Sequence, residues 1–92
     1  MIASFSDKDT AALFSGNRVK RFANFASVAE RKLQQLDSAA KLEALRSPPG
    51  NRLEALSGNR RGQHSIRIND QWRLCFVWKE DGVHDVEIVD YH

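Results

Sequence analysis

Three parts of the sequence carry side chains suited to chemistry. The first is Asp90-Tyr91-His92, which follows the strand-like run Asp85-Val86-Glu87-Ile88-Val89. A strand leading into these residues would set a carboxylate, a phenol and an imidazole together at a sheet edge or groove. Imidazole titrates near neutrality and a phenol can carry a proton, so the group suits proton handling beside a polyanion. The second is Arg73, in the alternating run Trp72-Arg73-Leu74-Cys75-Phe76-Val77-Trp78. A guanidinium held mid-strand, on the face opposite Trp72, Leu74, Phe76 and Trp78, can grip a phosphate with two parallel hydrogen bonds. The third is Glu54, between Leu53 and Leu56 in a short strand pattern. If its strand lies near the last one, its carboxylate could approach Tyr91 and His92.

Cations surround these positions in the sequence. Arg60-Arg61-Gly62 precedes a strand pattern and could present two charges at a groove mouth. Arg18, Lys20 and Arg21 form a basic knot expected in a loop, where they would meet either solvent or a phosphate. Other chemistries find little support. Cys75 sits in an apolar strand pattern and reads as a small core side chain. His64 falls on the apolar side of its strand and is expected to be partly buried and hydrogen-bonded. His84 has no evident partner nearby in the sequence. The three histidines lack the spacing of a metal cluster, so no metal and no other cofactor is expected. There is no phosphate-loop glycine pattern and no nucleophile elbow.

The elements that must position these residues follow from periodicity. Ile2 to Phe5 predicts a short opening strand. Ser6 with Asp9 forms a capping-box pattern ahead of a short helix through Ala11–Phe14, which Gly16-Asn17 stops. Ser27 with Glu30 predicts a second cap. Phe22, Phe25, Ala29, Leu33 and Leu36 follow spacings of three and four, so they share one buried helix face. Arg31, Lys32, Gln34 and Gln35 take the wetter side. A third short helix is expected from Asp37 or Ser38 through Leu42 and Leu45, ended by Ser47-Pro48-Pro49-Gly50.

Beyond residue 50 the period becomes two. A short strand carries Glu54. In 63–68 His64, Ile66 and Ile68 face one way, and Gln63, Ser65 and Arg67 the other. Asn69-Asp70 is hairpin-turn material, the Trp72–Trp78 run follows, and Lys79-Glu80-Asp81-Gly82 turns into the last strand. Helices first and an antiparallel meander after them predict an α+β fold. The N-terminal helices pack on one face of a small antiparallel β-sheet, and the other face is wet.

A chain of 92 residues predicts a single domain, 1–92, with one modest core. The 41% hydrophobic and 28% charged residues suit a globular protein, and no apolar run reaches the length of a membrane span. The start lacks the pattern of a secretory signal, and one cysteine cannot form an internal disulfide, so a cytoplasmic protein without a membrane partner is expected. Residues 1–78 hold 13 Lys and Arg against 7 Asp and Glu, whereas 79–92 hold one Lys against five acids. A basic body beside an acidic last strand is compatible with a nucleic acid or an acidic protein partner.

The element order and several local motifs converge on a known group. The segments are Ile2 to Phe5 leading into Asp9-Thr10-Ala11-Ala12-Leu13-Phe14-Ser15-Gly16, then Arg52-Leu53-Glu54-Ala55-Leu56-Ser57-Gly58-Asn59-Arg60. Further marks are Gly62-Gln63-His64-Ser65-Ile66-Arg67-Ile68-Asn69-Asp70-Gln71-Trp72-Arg73-Leu74-Cys75-Phe76 and Val89-Asp90-Tyr91-His92. In these the chain resembles, over nearly its whole length, the HigB-type toxins of the RelE/ParE superfamily from bacterial type II toxin–antitoxin pairs.

The resemblance implies a RelE/ParE-like toxin fold and a ribosome-dependent endoribonuclease. Such an enzyme cuts messenger RNA by attack of a ribose 2′-hydroxyl on the adjacent phosphorus and so inhibits translation. It implies that Arg73 stabilises charge on the phosphoryl oxygens. Asp90, Tyr91 and His92 would form the terminal catalytic and positioning group, and Arg60, Arg61 and Arg67 would contact the RNA backbone. The implied partners are the ribosome with its message and a helix-turn-helix antitoxin encoded by an adjacent gene. Operator DNA would be bound only through the antitoxin complex.

One departure is Glu54, where the HigB pattern often has histidine. A carboxylate can act as a general base, but it is a poor acid at neutral pH unless its surroundings raise its pKa. The alternative is therefore a growth inhibitor of the same fold that cuts weakly or not at all and acts by binding the ribosome or DNA gyrase.

Overall fold

The computed structural model describes residues 1–91. Helix α1 (Lys8–Phe14) starts at Asp7, whose backbone is extended and whose Oδ2 accepts the Thr10 N–H at 3.3 Å. The cap lies one residue beyond the expected Ser6. Ser6 is engaged elsewhere, donating its hydroxyl to the Asp85 carbonyl at 3.1 Å. Gly16, at φ +93°, supplies the left-handed turn that ends the helix, and its N–H reaches the Leu13 carbonyl.

Helix α2 (Ala26–Ser38) is not capped by Ser27. A 3-10 helix over Lys20–Phe25 runs directly into it, with Phe25 at the cap position and no side-chain hydrogen bond there. A preceding turn brings backbone carbonyls within reach of the first N–H groups, so no side chain is required. Lys20 and Arg21 accordingly lie on a 3-10 turn and not in a loop. The expected third helix does not restart at Asp37. Helix α2 continues through Ser38, and Asp37 Oδ1 accepts the Ile2 N–H at 2.8 Å. Ala39 is extended, and the few residues left before the prolines fit only tight turns, Leu42–Arg46 and Pro49–Asn51.

Four strands make one antiparallel meander, β1 (Glu54–Ala55), β2 (His64–Arg67), β3 (Trp72–Lys79) and β4 (Gly82–Asp90), in that spatial order. The Asn69 side chain closes the β2–β3 hairpin by accepting the N–H groups of Gln71 and Trp72 at 2.9 and 2.8 Å. Ile2 and Phe5 bridge in parallel to Val83 and Val86, so the opening segment lies along β4 as expected of a short strand.

Pairing slips between Cys75 and Val77 of β3, where β4 holds one extra residue. Asp85 takes up that extra residue at φ +55°. A bulge leaves backbone groups outside the ladder. Here Ser4 Oγ accepts the Asp85 N–H at 2.9 Å while Ser6 takes its carbonyl. The bulge also resets the alternation, so that Val83 and Val86 are both buried.

The helices cover one sheet face. Phe22, Phe25, Ala29, Leu33 and Leu36 are all buried, as their spacing predicts, against Ile66, Leu74, Phe76 and Ile88. Each fully buried side chain of this size contributes about 1.5–3 kcal/mol. Trp72 seals one end of the core, with its ring 5.8 Å from Phe22 and 5.0 Å from Phe25. Fixing Trp72 inward fixes its neighbour Arg73 outward. Among the described residues, no helix is long and apolar enough to cross a membrane.

Helix α1 is tied to the sheet by a polar bond inside the core. Thr10 is fully buried, and its Oγ1 accepts the Ile88 N–H at 3.0 Å. Replacing Thr10 by valine keeps the shape and strands that N–H. The change is expected to cost about 1–3 kcal/mol, seen as a lower urea midpoint with unchanged slope.

Candidate active site

The sheet face turned away from the helices carries the candidate residues. Across it, Glu54 stands opposite Ser65, Ser65 opposite Cys75, and Cys75 opposite Glu87. In the next row Arg67 faces Arg73, and Arg73 faces Val89. Tyr91 follows Val89 by two residues.

Arg73 is folded down onto this face. Its Nε donates to Ser65 Oγ at 2.8 Å and its Nη2 to the Arg52 carbonyl at 2.7 Å. Glu54 Oε1 lies 3.5 Å from the same Nη2, and the Tyr91 ring centre lies 5.9 Å from the guanidinium carbon. Only 12% of the Arg73 side chain is exposed, against 54% for Glu54. Arg73, Glu54 and Tyr91, distant in sequence, therefore meet at one place.

Beside them is an open groove of about 520 Å³ lined by Glu54, Ser57, Arg60, Val89, Asp90 and Tyr91, among others. Arg60 enters from the 3-10 turn Gly58–Arg60, donating to Gln63 Oε1 at 3.1 Å and lying 3.5 Å from Glu87 Oε1. Gly62, at φ +94°, turns the chain from there into β2. Arg61 is exposed at that turn. Arg73 and Arg60 are each accompanied by a carboxylate, Glu54 and Glu87 respectively.

Asp90 stands opposite Trp72, and its Oδ2 accepts from Gln71 Nε2 at 3.1 Å. It lines the groove, but strand alternation puts it out of step with Arg73 and Tyr91. His92 lies outside the described residues. Arg67 pairs with Asp70, at the hairpin end of β2. Lys32 comes near the same end. Its ammonium pKa is lowered, first by burial and then by the Arg31 and Arg67 charges. Lys32, half-buried on the wetter side of α2, donates to the buried Asn51.

The basic knot occupies other ground. Arg18, Lys20 and Arg21 line a separate depression with Asp9 and Ala12. There Arg21 is bound to Asp9 at 2.9 Å and to Asp7 at 3.1 Å, over the Phe22 ring.

The remaining sulfur and imidazoles have structural places. Cys75 is fully buried under the charged row, and burial pushes its thiol up to about 11, so it stays neutral at physiological pH. His64 is half-buried and stacked on Phe76, but its buried Nδ1 meets no hydrogen-bond partner among the described residues, contrary to expectation. His84 does have a partner close in sequence: its Nε2 lies 2.9 Å from Asp81 Oδ1. Among the described residues, no three His, Cys, Asp or Glu side chains group closely enough to hold a metal ion.

Ser65, Gln63, Glu87 and the Arg52 carbonyl were not anticipated as parts of this site. The hairpin register alone could have pointed to Ser65, since it sets Ser65 diagonally beside Arg73.

Comparison with known proteins agrees with this architecture. The profile of a family described as the RelE-like toxin of the type II toxin–antitoxin system HigB matches residues 3–92. Toxin HigB-1 of Vibrio cholerae is 39% identical over 94 residues, spanning 100% of this chain and 98% of its own. An uncharacterised Haemophilus influenzae protein is 35% identical over 63 residues, spanning 68% of this chain and 62% of its own. Among solved structures, the YoeB-YefM complex from Staphylococcus aureus aligns with a TM-score of 0.61 over 100% of this chain and 98% of that chain. At 17% identity this likeness is one of fold.

Proposed function

Because the chain belongs to the RelE-like HigB toxins of type II toxin–antitoxin systems, we propose that it is a ribosome-dependent endoribonuclease that cleaves messenger RNA and stops translation. The observation that carries this reading is the meeting of Arg73, Glu54 and Tyr91 at an open, polar groove.

Cleavage would proceed by in-line attack. The ribose 2′-oxygen forms a bond to the adjacent phosphorus while the bond to the 5′-oxygen breaks, leaving a 2′,3′-cyclic phosphate and a free 5′-hydroxyl. A base must take the 2′-hydroxyl proton, an acid must give a proton to the leaving 5′-oxygen, and positive charge must meet the phosphoryl oxygens. Arg73 supplies that charge. Glu54 is the base. Tyr91 offers a ring for base stacking and a hydroxyl at the groove. His92 is assigned the acid role by family resemblance, with Asp90 as the second proton carrier.

Arg60, Arg61 and Arg67 hold the RNA backbone around the groove. Arg18, Lys20 and Arg21 would meet nucleic acid only outside it. Replacing the exposed Arg61 by alanine is expected to weaken ribosome binding. It should lower the slope of log K against log salt by roughly 0.7–0.9, the loss of one phosphate contact.

A type II system implies a cognate antitoxin. Its proposed form is a helix-turn-helix protein from the adjacent gene, which neutralises the toxin and carries the complex to operator DNA. Primer extension on a translated message after induction tests the main reading. Cuts within the reading frame that require translation support it. Growth arrest with intact messages favours the non-cleaving alternative, for which the Glu54 carboxylate beside Arg73, where the family often has histidine, is the supporting observation.

A further inference from the structure

The Arg73 guanidinium is gripped before any substrate arrives. Its Nε is taken by a serine hydroxyl at 2.8 Å, and one Nη2 hydrogen bond goes to a backbone carbonyl at 2.7 Å. The two acceptors are unusual for their positions. Ser65 is fully buried although it lies on the sheet face away from the core, because Arg73 itself folds over it. Arg52 adopts a left-handed backbone, φ 47° and ψ 56°, which a residue with a Cβ rarely takes. That conformation turns the Arg52 carbonyl toward Nη2. A serine and a locally strained carbonyl thus hold one edge of a planar cation whose geometry suits paired contacts.

A long arginine side chain has many rotamers, and a charge free to wander would stabilise a transition state poorly. Electrostatic stabilisation depends on donors fixed in advance. The Ser65 hydroxyl and the Arg52 carbonyl supply that fixing from two elements, β2 and the turn before β1. Glu54, 3.5 Å from the same nitrogen, lies at the groove side and is more than half exposed. It is free to move when a phosphate approaches, whereas Ser65 is not.

We propose that Ser65 is a positioning residue. Together with the Arg52 carbonyl it orients the Arg73 guanidinium for a scissile phosphodiester, without touching the RNA. The proposal rests on the ribonuclease reading above.

The test is a double-mutant cycle of Ser65→Ala and Arg73→Ala, with Ser65→Thr as the hydroxyl-retaining control. Each protein is assayed for cleavage rate at saturating ribosomes, for ribosome affinity and for melting temperature. S65A is expected to slow cleavage at saturation by about 10–100-fold, the scale of a small misplacement of a reacting group, while ribosome affinity holds. S65T is expected to recover most of that rate. In an R73A background S65A should add nothing, because the serine acts only through the arginine. A merely structural serine would lower affinity and rate together and would do so with or without Arg73.

If folded S65A cleaves like wild type, or if the two substitutions add independently, the positioning role is overturned and the proposed function stands. If wild type itself cuts no message on the ribosome, the proposed function falls and the role of Ser65 in cleavage falls with it.

Discussion

Replacing Arg73 by alanine is expected to lower message cleavage by about 10²–10³-fold, the scale of losing one fixed electrostatic stabiliser. The expectation follows from its place next to Glu54 and the Tyr91 ring, both of which line the groove. The same change should also reduce stability. It removes the hydrogen bonds that a charged donor makes to the Ser65 hydroxyl and the Arg52 carbonyl, a loss of about 1–3 kcal/mol. For a domain of this size each kcal/mol lowers the melting temperature by roughly 4–8 °C. Cleavage must therefore be compared below the transition of the variant, where both proteins are folded. Arg73→Lys separates charge from shape. A lysine keeps the charge but cannot reproduce the planar fork that reaches Ser65 and Arg52 together. Its rate should fall between those of alanine and wild type. Full activity in folded R73A would remove this residue from the chemistry.

Replacing Glu54 by glutamine is expected to lower cleavage by about 10²–10⁴-fold, the range for losing a positioned general base, while ribosome binding is kept. The amide preserves size and polarity but cannot take the 2′-hydroxyl proton. Stability should change little, because Glu54 is more than half exposed and Arg73 keeps its hydrogen bonds to Ser65 and the Arg52 carbonyl. Glu54→His is the more informative substitution. An imidazole can serve as acid or base near pH 7, so E54H should fold normally and shift the pH–rate profile toward neutrality. Equal rates and profiles for wild type, E54Q and E54H would return the chemistry to Arg73 and the last residues.

Much of the scaffold behind these residues was legible in the sequence, and the reasons differ by element. The buried face of α2 follows from the spacing of Ala29, Leu33 and Leu36, whereas Phe22 and Phe25, read as part of the same face, are buried from the 3-10 helix before it. The outward position of Arg73 follows from alternation with Trp72 and Leu74. The Asn69-Asp70 pair marks the hairpin turn but not its register, which sets Arg67 opposite Arg73 and leaves three residues, 69–71, in the loop. The approach of Glu54 to Arg73 and Tyr91 was open until the meander order was known, because β1 is only two residues long.

Other features depend on tertiary partners. Ser6 and Asp7 both qualify as caps, and the choice is made by the Asp85 carbonyl that engages Ser6. The extra residue at Asp85 is stabilised by Ser4 and Ser6, about eighty positions earlier in the chain, so local pattern carries no sign of it. Ser65 reads as a solvent-facing serine until Arg73 is seen to cover it. The Arg52 carbonyl carries no side-chain signal at all.

The proposed chemistry is RNA cleavage at this groove by 2′-hydroxyl attack, with Arg73 stabilising charge on the phosphoryl oxygens. A reconstituted translation reaction with purified ribosomes and one defined message, followed by analysis of the fragment ends, tests it most directly. Ribosome-dependent fragments with 2′,3′-cyclic phosphate and 5′-hydroxyl ends are expected, sharply reduced with R73A. Translation arrest on an uncut message, 5′-phosphate ends, or equal cutting by folded R73A would contradict it.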